Sequence, residues 1–238
     1  LDNPERRNAI GADMWRAIAP AMAGFNADAS IRCIVIRGEG TQAFAAGADI
    51  SEFEKNRSSE GDVKDYEAAT SAAHHAIESS PKPVIALIHG FCVGGGLAVA
   101  LSCDLRYADA SSRFAIPAAR LGLGYGVHGM GRLVATVGHA VAREIMFSAR
   151  RYDAGEALAM GLVNRVLPDD ELDVYVGKVA LELAANAPMT IAASKAVLNA
   201  LVEPKGDFSA AEAAVARCMR SEDYVEGRRA FMEKRAPA

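Results

Sequence analysis

The sequence carries no excess of basic charge. Its 26 lysines and arginines stand against 30 aspartates and glutamates, a formal net charge of -4. No basic run and no aromatic-basic stripe occurs, which argues against nucleic acid as a partner. Cysteine is scarce: Cys33, Cys92, Cys103 and Cys218 are far apart and never form a C-x-x-C pair. Neither a zinc site nor a disulfide framework is indicated, no metal-ligand spacing occurs, and a reducing, cytoplasmic setting is expected. There are no internal repeats and no low-complexity tracts. Leu1 opens the chain in place of methionine, and no basic-then-apolar signal pattern follows it. No clean membrane span is present either. The nearest approach, Val84 to Cys103, is interrupted by His89 and by Gly94-Gly95-Gly96. A strand, a glycine turn and a helix start account for it, and no membrane partner is expected.

What is present is the composition of a folded chain. Of 238 residues, 51% are apolar and 24% charged, enough for a sizeable core. Met14, Ile18, Met22 and Phe25 recur at helical spacing, which predicts a helix over Gly11 to Phe25, with Pro20 as a point of kink or early stop. Ile31 to Arg37 reads as a buried strand, Asp62 to Ser79 as a helix, and Val84 to Ile88 as a second buried strand. Gly95 to Ser102 predicts a helix and Leu105 to Ala108 a short strand. Strand, helix, strand, helix, strand implies parallel pairing with crossover helices, an α/β core. Beyond Leu167 the pattern turns helical, with helices expected over Asp170 to Asn186, Met189 to Leu201 and most of Ser209 to Lys234. Pro204-Lys205-Gly206-Asp207 reads as a turn.

Two segments carry the chemical signal: FAAGADI, Phe44 to Ile50, and HGFCVGGGLAVALSCD, His89 to Asp104. Each sets small residues and glycine at a turn, and the second leads into an apolar helix. Small residues allow a ligand close to the backbone. Amides at a helix start have no intrahelical partner and carry partial positive charge. Two such N–H groups brought together would form an oxyanion hole. The plainer reading of each segment alone is a glycine ending a strand or easing helix packing.

In this order the two segments resemble the paired oxyanion-hole motifs of the crotonase, or enoyl-CoA hydratase/isomerase, superfamily. NPERRNAI (Asn3 to Ile10), DLRYADASSRFAIP (Asp104 to Pro117), RRYDAGEALAMGLVNRVLP (Arg150 to Pro168) and EGRRAFMEKR (Glu226 to Arg235) agree with it. The resemblance implies an α/β fold, a spiral of ββα units followed by a C-terminal helical trimerisation region, with an opening strand expected upstream of Leu1. It divides the chain into an acyl-CoA-binding core over residues 1–185 and a helical oligomerisation region over 186–238. It implies a homotrimer or dimer of trimers, and a substrate in which coenzyme A is part of a thioester, with no permanently bound cofactor. The N–H groups of Ala48 and Gly95 would hold the thioester oxygen. Coenzyme A contacts are implied for Arg6, Arg7, Ala46, Ala48, Asp49 and Ile50, and for Phe231 and Lys234 from a neighbouring subunit. Solvated surface charge is the rival reading of Arg6, Arg7 and Lys234.

The sequence departs from the family pattern where hydratases carry two glutamates. The matching positions are Ala98 and Ala118, and alanine moves no proton. The stretch Leu121 to Gly131 is expected to line the acyl pocket, and it offers His128 and Tyr125 as replacement acid-base groups. Of His74 and His75, at most one is expected to face the pocket, with solvent exposure the favoured reading. His89 reads as a satisfied structural histidine and Glu52 as a solvated helix face. Gly124-x-Gly126-x-x-Gly129 matches a dinucleotide-binding pattern, but no buried strand precedes it, so an NAD-linked oxidoreductase is a remote alternative. A serine protease on a related spiral would need a nucleophile, histidine and acid set, and no G-x-S-x-G turn occurs. Isomerisation, hydrolysis, decarboxylation, unusual hydration and catalytically inactive acyl-CoA binding all stay open, within a fatty-acid type of metabolism.

Overall fold

The computed structural model of the chain describes residues 1–49, 60–121, 123–202, 209, 213, 216–217, 220–233 and 235. Ile50, Glu52, the 204–207 turn and Lys234 lie outside them, as do the side chains of His128 and Phe231.

Two four-stranded sheets form the core, and the first six strands alternate between them. β1 (Ile34–Arg37), β3 (Val84–Ile88), β5 (Leu105–Asp109) and β8 (Arg165–Leu167) make one wholly parallel sheet. β2 (Ala43–Ala45), β4 (Phe91–Val93), β6 (Arg113–Ala115) and β7 (Tyr152–Asp153) make the other, with only the β6–β7 pair antiparallel. Each turn of the spiral is a strand of the first sheet, a short strand of the second, and a return helix. These helices are α2 (Glu60–Glu78) and α3 (Gly95–Ser102), with α1 (Ala12–Ala27) packed against α2. Every residue of β3 is buried, as expected of a parallel strand covered on both faces. The stretch from Val84 to Cys103 therefore divides into β3, β4 and α3, and among the described residues no helix is long and apolar enough to cross a membrane.

α1 runs through Pro20 and ends only at Ala27. Pro20 is exposed, so the Arg16 carbonyl it leaves without a helix donor lies on the solvent side. Trp15 and Met22 point into the core from the opposite face. After β6 come α4 (Ala118–Leu121) and α5 (Val127–Ser148). The expected pocket loop is thus shorter than 121–131, because its last residues already form the first turn of α5. Among the described residues the element just before Gly124 is the helix Ala118–Leu121 and not a strand, which leaves the dinucleotide pattern without its structural context. α6 (Ala154–Ala159) begins with a capping box, Asp153 Oδ1 accepting from Glu156 N at 2.8 Å and Glu156 Oε2 from Asp153 N at 3.0 Å.

The C-terminal helices α7 (Leu172–Ala184) and α8 (Pro188–Val202) lie against the core, and α9 (Glu222–Glu233) follows. His89 ties α7 down: its Nδ1 is 2.7 Å from Asp109 Oδ2 and its Nε2 is 2.7 Å from Asp173 Oδ2. With both ring nitrogens on carboxylates at 3% exposure, His89 is structural. Lys195 ties α8 down through Asp104 Oδ2 at 2.8 Å and the Lys82 carbonyl at 3.2 Å.

α3 sits closest to the second sheet. A Cβ on Gly96 would come within 2.4 Å of the Ala45 carbonyl oxygen and 2.7 Å of Ala45 Cβ. At the other end of α3 the buried Arg106 guanidinium donates to the Cys103 carbonyl at 2.7 Å and the Ala100 carbonyl at 3.5 Å, satisfying carbonyls the helix end leaves open. Gly96→Ala should lower the unfolding free energy by about 1–3 kcal/mol, the usual cost of overpacking. Denaturant melts check this, and an unchanged midpoint would show that β2 and α3 separate freely.

Candidate active site

The site grows from the way residues 7–10 pair with residues 46–49. Ala46 N donates to the Arg7 carbonyl at 2.9 Å, Ile10 N to the Gly47 carbonyl at 2.8 Å, and Asp49 N to the Ile10 carbonyl at 3.1 Å. In a parallel bridge the residue opposite Ile10 contributes neither of its own groups; its two neighbours do. That residue is Ala48, so its N–H faces away from the 7–10 segment. Asn8 holds the pairing in place, its side-chain amide donating to the Ala43 carbonyl at 2.7 Å and the Glu39 carbonyl at 3.0 Å. This is the structural content of the NPERRNAI stretch.

Across the gap lies the start of α3. Gly94 caps it with φ 52 and donates to the Ala115 carbonyl at 2.8 Å. A Cβ on Gly95 would be 3.4 Å from Ala48 N and 3.2 Å from Trp15 Cζ2. Gly47 has φ +110, and a Cβ there would meet the Val93 carbonyl oxygen at 3.3 Å, so the turn needs glycine on both counts. Neither the Ala48 nor the Gly95 amide donates to an acceptor among the described residues. Two adjacent peptide amides without acceptors can receive an oxygen that gains negative charge.

The two alanines singled out in the sequence flank this point. Ala118, nearly fully buried, opens α4 one residue after Pro117, whose Cδ lies against Gly94. Ala98 is half-buried on α3 and faces a cavity of about 40 Å³ lined by His74, Glu78, Ser102, Tyr125 and Arg132. Tyr125 therefore reaches the neighbourhood of Ala98, and burial raises its phenol above the ordinary value. His128 lies on the first turn of α5.

His74 corrects the favoured reading of solvent exposure. His75 is exposed, but His74 turns inward and packs on Trp15 with ring centroids 5.3 Å apart. His74 Nδ1 is 3.0 Å from Ser102 Oγ, Ser102 Oγ is 3.1 Å from Glu78 Oε1, and Glu78 Oε2 accepts from Arg132 at 2.9 Å. Glu78, Ser102 and Arg132 were not singled out from the sequence. The available signal was spacing: His74 and Glu78 are four apart on α2, as are Ala98 and Ser102 on α3. Serine sits between histidine and carboxylate here, whereas a hydrolytic triad needs histidine in the middle.

Of the residues implied for coenzyme A, Arg6, Arg7, Ala46, Ala48 and Asp49 gather where residues 7–10 pair with residues 46–49. Arg6 grips Asp49 at 2.9 and 3.0 Å, so two of those residues hold each other. Arg7 lies over the Phe91 ring at 5.0 Å, with Arg151 at 5.8 Å. Cys33, Cys92 and Cys103 are unpaired. Burial pushes the Cys33 thiol up to about 11 and the Cys103 thiol up to about 12, so neither supplies a thiolate at neutral pH. A larger depression of about 380 Å³ lies between α1, the 81–83 turn and the α7–α8 junction. Its one lysine, Lys82, is spent on the Phe25 and Asp28 carbonyls, and it holds no acid-base pair.

A family model described as Enoyl-CoA hydratase/isomerase matches residues 1–238. Short-chain-enoyl-CoA hydratase of Clostridium acetobutylicum is 32% identical over 237 residues, covering 99% of this chain and 90% of that protein. Mitochondrial methylglutaconyl-CoA hydratase of Rattus norvegicus is 33% identical, covering 97% and 75%. The crystal structure of an enoyl-CoA hydratase/carnithine racemase from Magnetospirillum magneticum superposes with a TM-score of 0.94 at 38% identity, covering 100% of this chain and 89% of that one. Sequence and spiral agree from end to end, and the chain belongs to the enoyl-CoA hydratase/isomerase family.

Proposed function

We propose that the chain binds an acyl-CoA thioester with its carbonyl oxygen between the Ala48 and Gly95 amides and stabilises the enolate that forms beside it. The observation that carries this reading is the pair of neighbouring amides left without acceptors where β2 ends and α3 begins. Polarising the carbonyl makes the adjacent carbon acidic, and one such donor is worth about 2.7–4 kcal/mol in the transition state. The 46–49 backbone, Arg6 and Arg7 then border the coenzyme A end, with Phe231 and Lys234 supplied by a neighbouring subunit. For Arg6 to meet a phosphate it must exchange its Asp49 carboxylate for it, one charge-assisted acceptor for another. The unpaired, burial-protected thiols fit a reducing cytoplasmic setting.

The named relatives are hydratases, and ordinary hydration needs a positioned base and a positioned acid. With alanine at positions 98 and 118, both carboxylates are missing, and each positioned group is worth roughly 10²–10⁴-fold. Non-catalytic acyl-CoA binding is the second reading, favoured by the same two alanines.

Three outcomes test the proposal. Gly95→Ala places a methyl between the two amides, and Ala48→Pro removes one N–H. Each variant, if folded by circular dichroism, should lose about 10²–10³-fold in thioester turnover; unchanged rates would move the oxyanion elsewhere. Crotonyl-CoA hydration, followed by loss of enoyl absorbance, should be very slow in the unmodified protein. A rate matching a two-glutamate hydratase would refute the account of Ala98 and Ala118. Light scattering should give three or six chain masses, because Leu198 and Leu201 on α8 are 64% and 65% exposed in the single chain. A monomer at micromolar concentration would remove the neighbour's Phe231 and Lys234 from the site.

A further inference from the structure

Two side chains on the cavity beside Ala98 hold donors that nothing among the described residues accepts. Tyr125 lines it, and burial alone raises the Tyr125 phenol above its ordinary value, so the hydroxyl stays protonated and able to donate at neutral pH. Among the described residues no side-chain oxygen is both fully enclosed and without a hydrogen-bond partner. The Tyr125 hydroxyl makes no hydrogen bond among those residues, so it opens on accessible space, and the cavity is the space that Tyr125 lines. Arg132 is the second donor. Its Nη2 donates to Glu78 Oε2 at 2.9 Å and its Nη1 lies 3.5 Å from Asn199 Oδ1, which leaves part of the guanidinium's donor set unused among the described residues. Charge at the cavity is already balanced, because Glu78 pairs with Arg132 and of the other lining residues only His74 and Tyr125 titrate. An anion placed there would find no uncommitted cation, whereas a neutral oxygen would find donors.

The cavity is also aligned with the oxyanion amide. Ala98 follows Gly95 by three positions on α3, and Leu101 and Ser102 follow Ala98 by three and four, so they share one face of the helix. A thioester oxygen on the Gly95 amide therefore has the cavity about one helical turn away, roughly 5.4 Å. A zigzag chain with bonds of about 1.5 Å covers that in about four bonds, which brings C5 of the acyl group to the cavity.

We propose that this cavity reads an uncharged oxygen carried near C5 of the acyl chain, with Tyr125 donating to it and Arg132 behind it, so that the substrate is an oxo- or hydroxyacyl-CoA and not a plain alkyl one. The inference rests on the thioester site proposed above and adds the chemical class of its acyl group. A volume of about 40 Å³, against the roughly 10–15 Å³ that one water needs, admits the oxygen and a methyl beside it. An alkyl chain of the same length would enter the same space and leave the Tyr125 hydroxyl and the Arg132 donors without acceptors, and stranding buried donors in this way is what makes a site reject the analogue lacking the oxygen. Glu78 and Asn199 are positioning residues. Glu78 holds the guanidinium, and Asn199 donates to the Glu78 backbone carbonyl at 3.0 Å.

The test measures binding of three thioesters to the full chain by calorimetry: hexanoyl-CoA, 5-oxohexanoyl-CoA, and glutaryl-CoA, which carries a carboxylate at the same carbon. The unmodified protein should bind 5-oxohexanoyl-CoA about tenfold more tightly than hexanoyl-CoA, and more tightly than glutaryl-CoA. Tyr125→Phe keeps the ring and removes the donor, so the ratio of the 5-oxohexanoyl to the hexanoyl affinity should fall to about twofold or less. Ala98→Leu fills the cavity from α3 and should abolish the same ratio without altering the phenol, which keeps the test decisive where Tyr125→Phe fails to fold. Equal affinity of the unmodified protein for the oxo and alkyl ligands overturns the inference and leaves the thioester site standing. A preference that persists in folded Tyr125→Phe or in folded Ala98→Leu overturns it as well. Tightest binding of glutaryl-CoA would show that Arg132 reads charge, and the neutral-oxygen assignment falls. Absence of binding by all three ligands overturns the thioester site itself, and this inference with it.

Discussion

Everything in the site depends on two backbones touching where side chains are absent. The first turn of α3 reaches the end of β2 so closely that a single methyl on Gly96 would fall 2.4 Å from the Ala45 carbonyl oxygen. The same approach sets Gly95 beside Ala48, and the pairing of Ile10 with Gly47 and Asp49 turns the Ala48 amide toward it. No catalytic side chain takes part. The electrostatics of the site are a property of chain path, held by a glycine triplet, by Asn8 on one flank and by Arg106 on the other.

This division explains how proton chemistry can change while the fold stays. Amides placed by backbone pairing survive most substitutions around them, because a change of side chain leaves the N–H where it was. Side chains that move protons have no such protection. Alanine at position 98 leaves a gap on the α2 side of α3, and His74, Ser102, Glu78 and Arg132 line it. Burial of Glu78 raises the cost of an unmet charge, and the Glu78–Arg132 pair meets it.

The sequence made three strands of the first sheet legible and missed the fourth, β8, which is three residues long. Val84–Ile88 and Gly95–Ser102 match their expected bounds residue for residue, because a fully buried strand is a solid apolar run and a glycine triplet marks a helix start. The second sheet left no periodic trace. β2, β4 and β6 are three residues each, too short for alternation to register, and only the likeness to a known family implied their ββα arrangement. The paired turns were visible as composition. The His74 cluster was not, because which face of α2 meets which face of α3 is decided by packing between residues 24 and 28 positions apart. His89 was readable as structural, and the Asp109 and Asp173 carboxylates on its two nitrogens show what satisfies it.

Helix α8 has two faces with different obligations. Lys195 and Asn199 turn inward: the first holds Asp104, while the second donates to the Glu78 backbone carbonyl at 3.0 Å and lies 3.5 Å from the Arg132 guanidinium. Leu198 and Leu201 turn outward into solvent. The helix is thus a rigid strut with the back wall of the Ala98 cavity at one side and an open apolar surface at the other. A body that seats on Leu198 and Leu201 bears, through one turn of helix, on Asn199 and so on the Glu78 backbone and Arg132, and what lies outside the chain thereby reaches the wall of the Ala98 cavity.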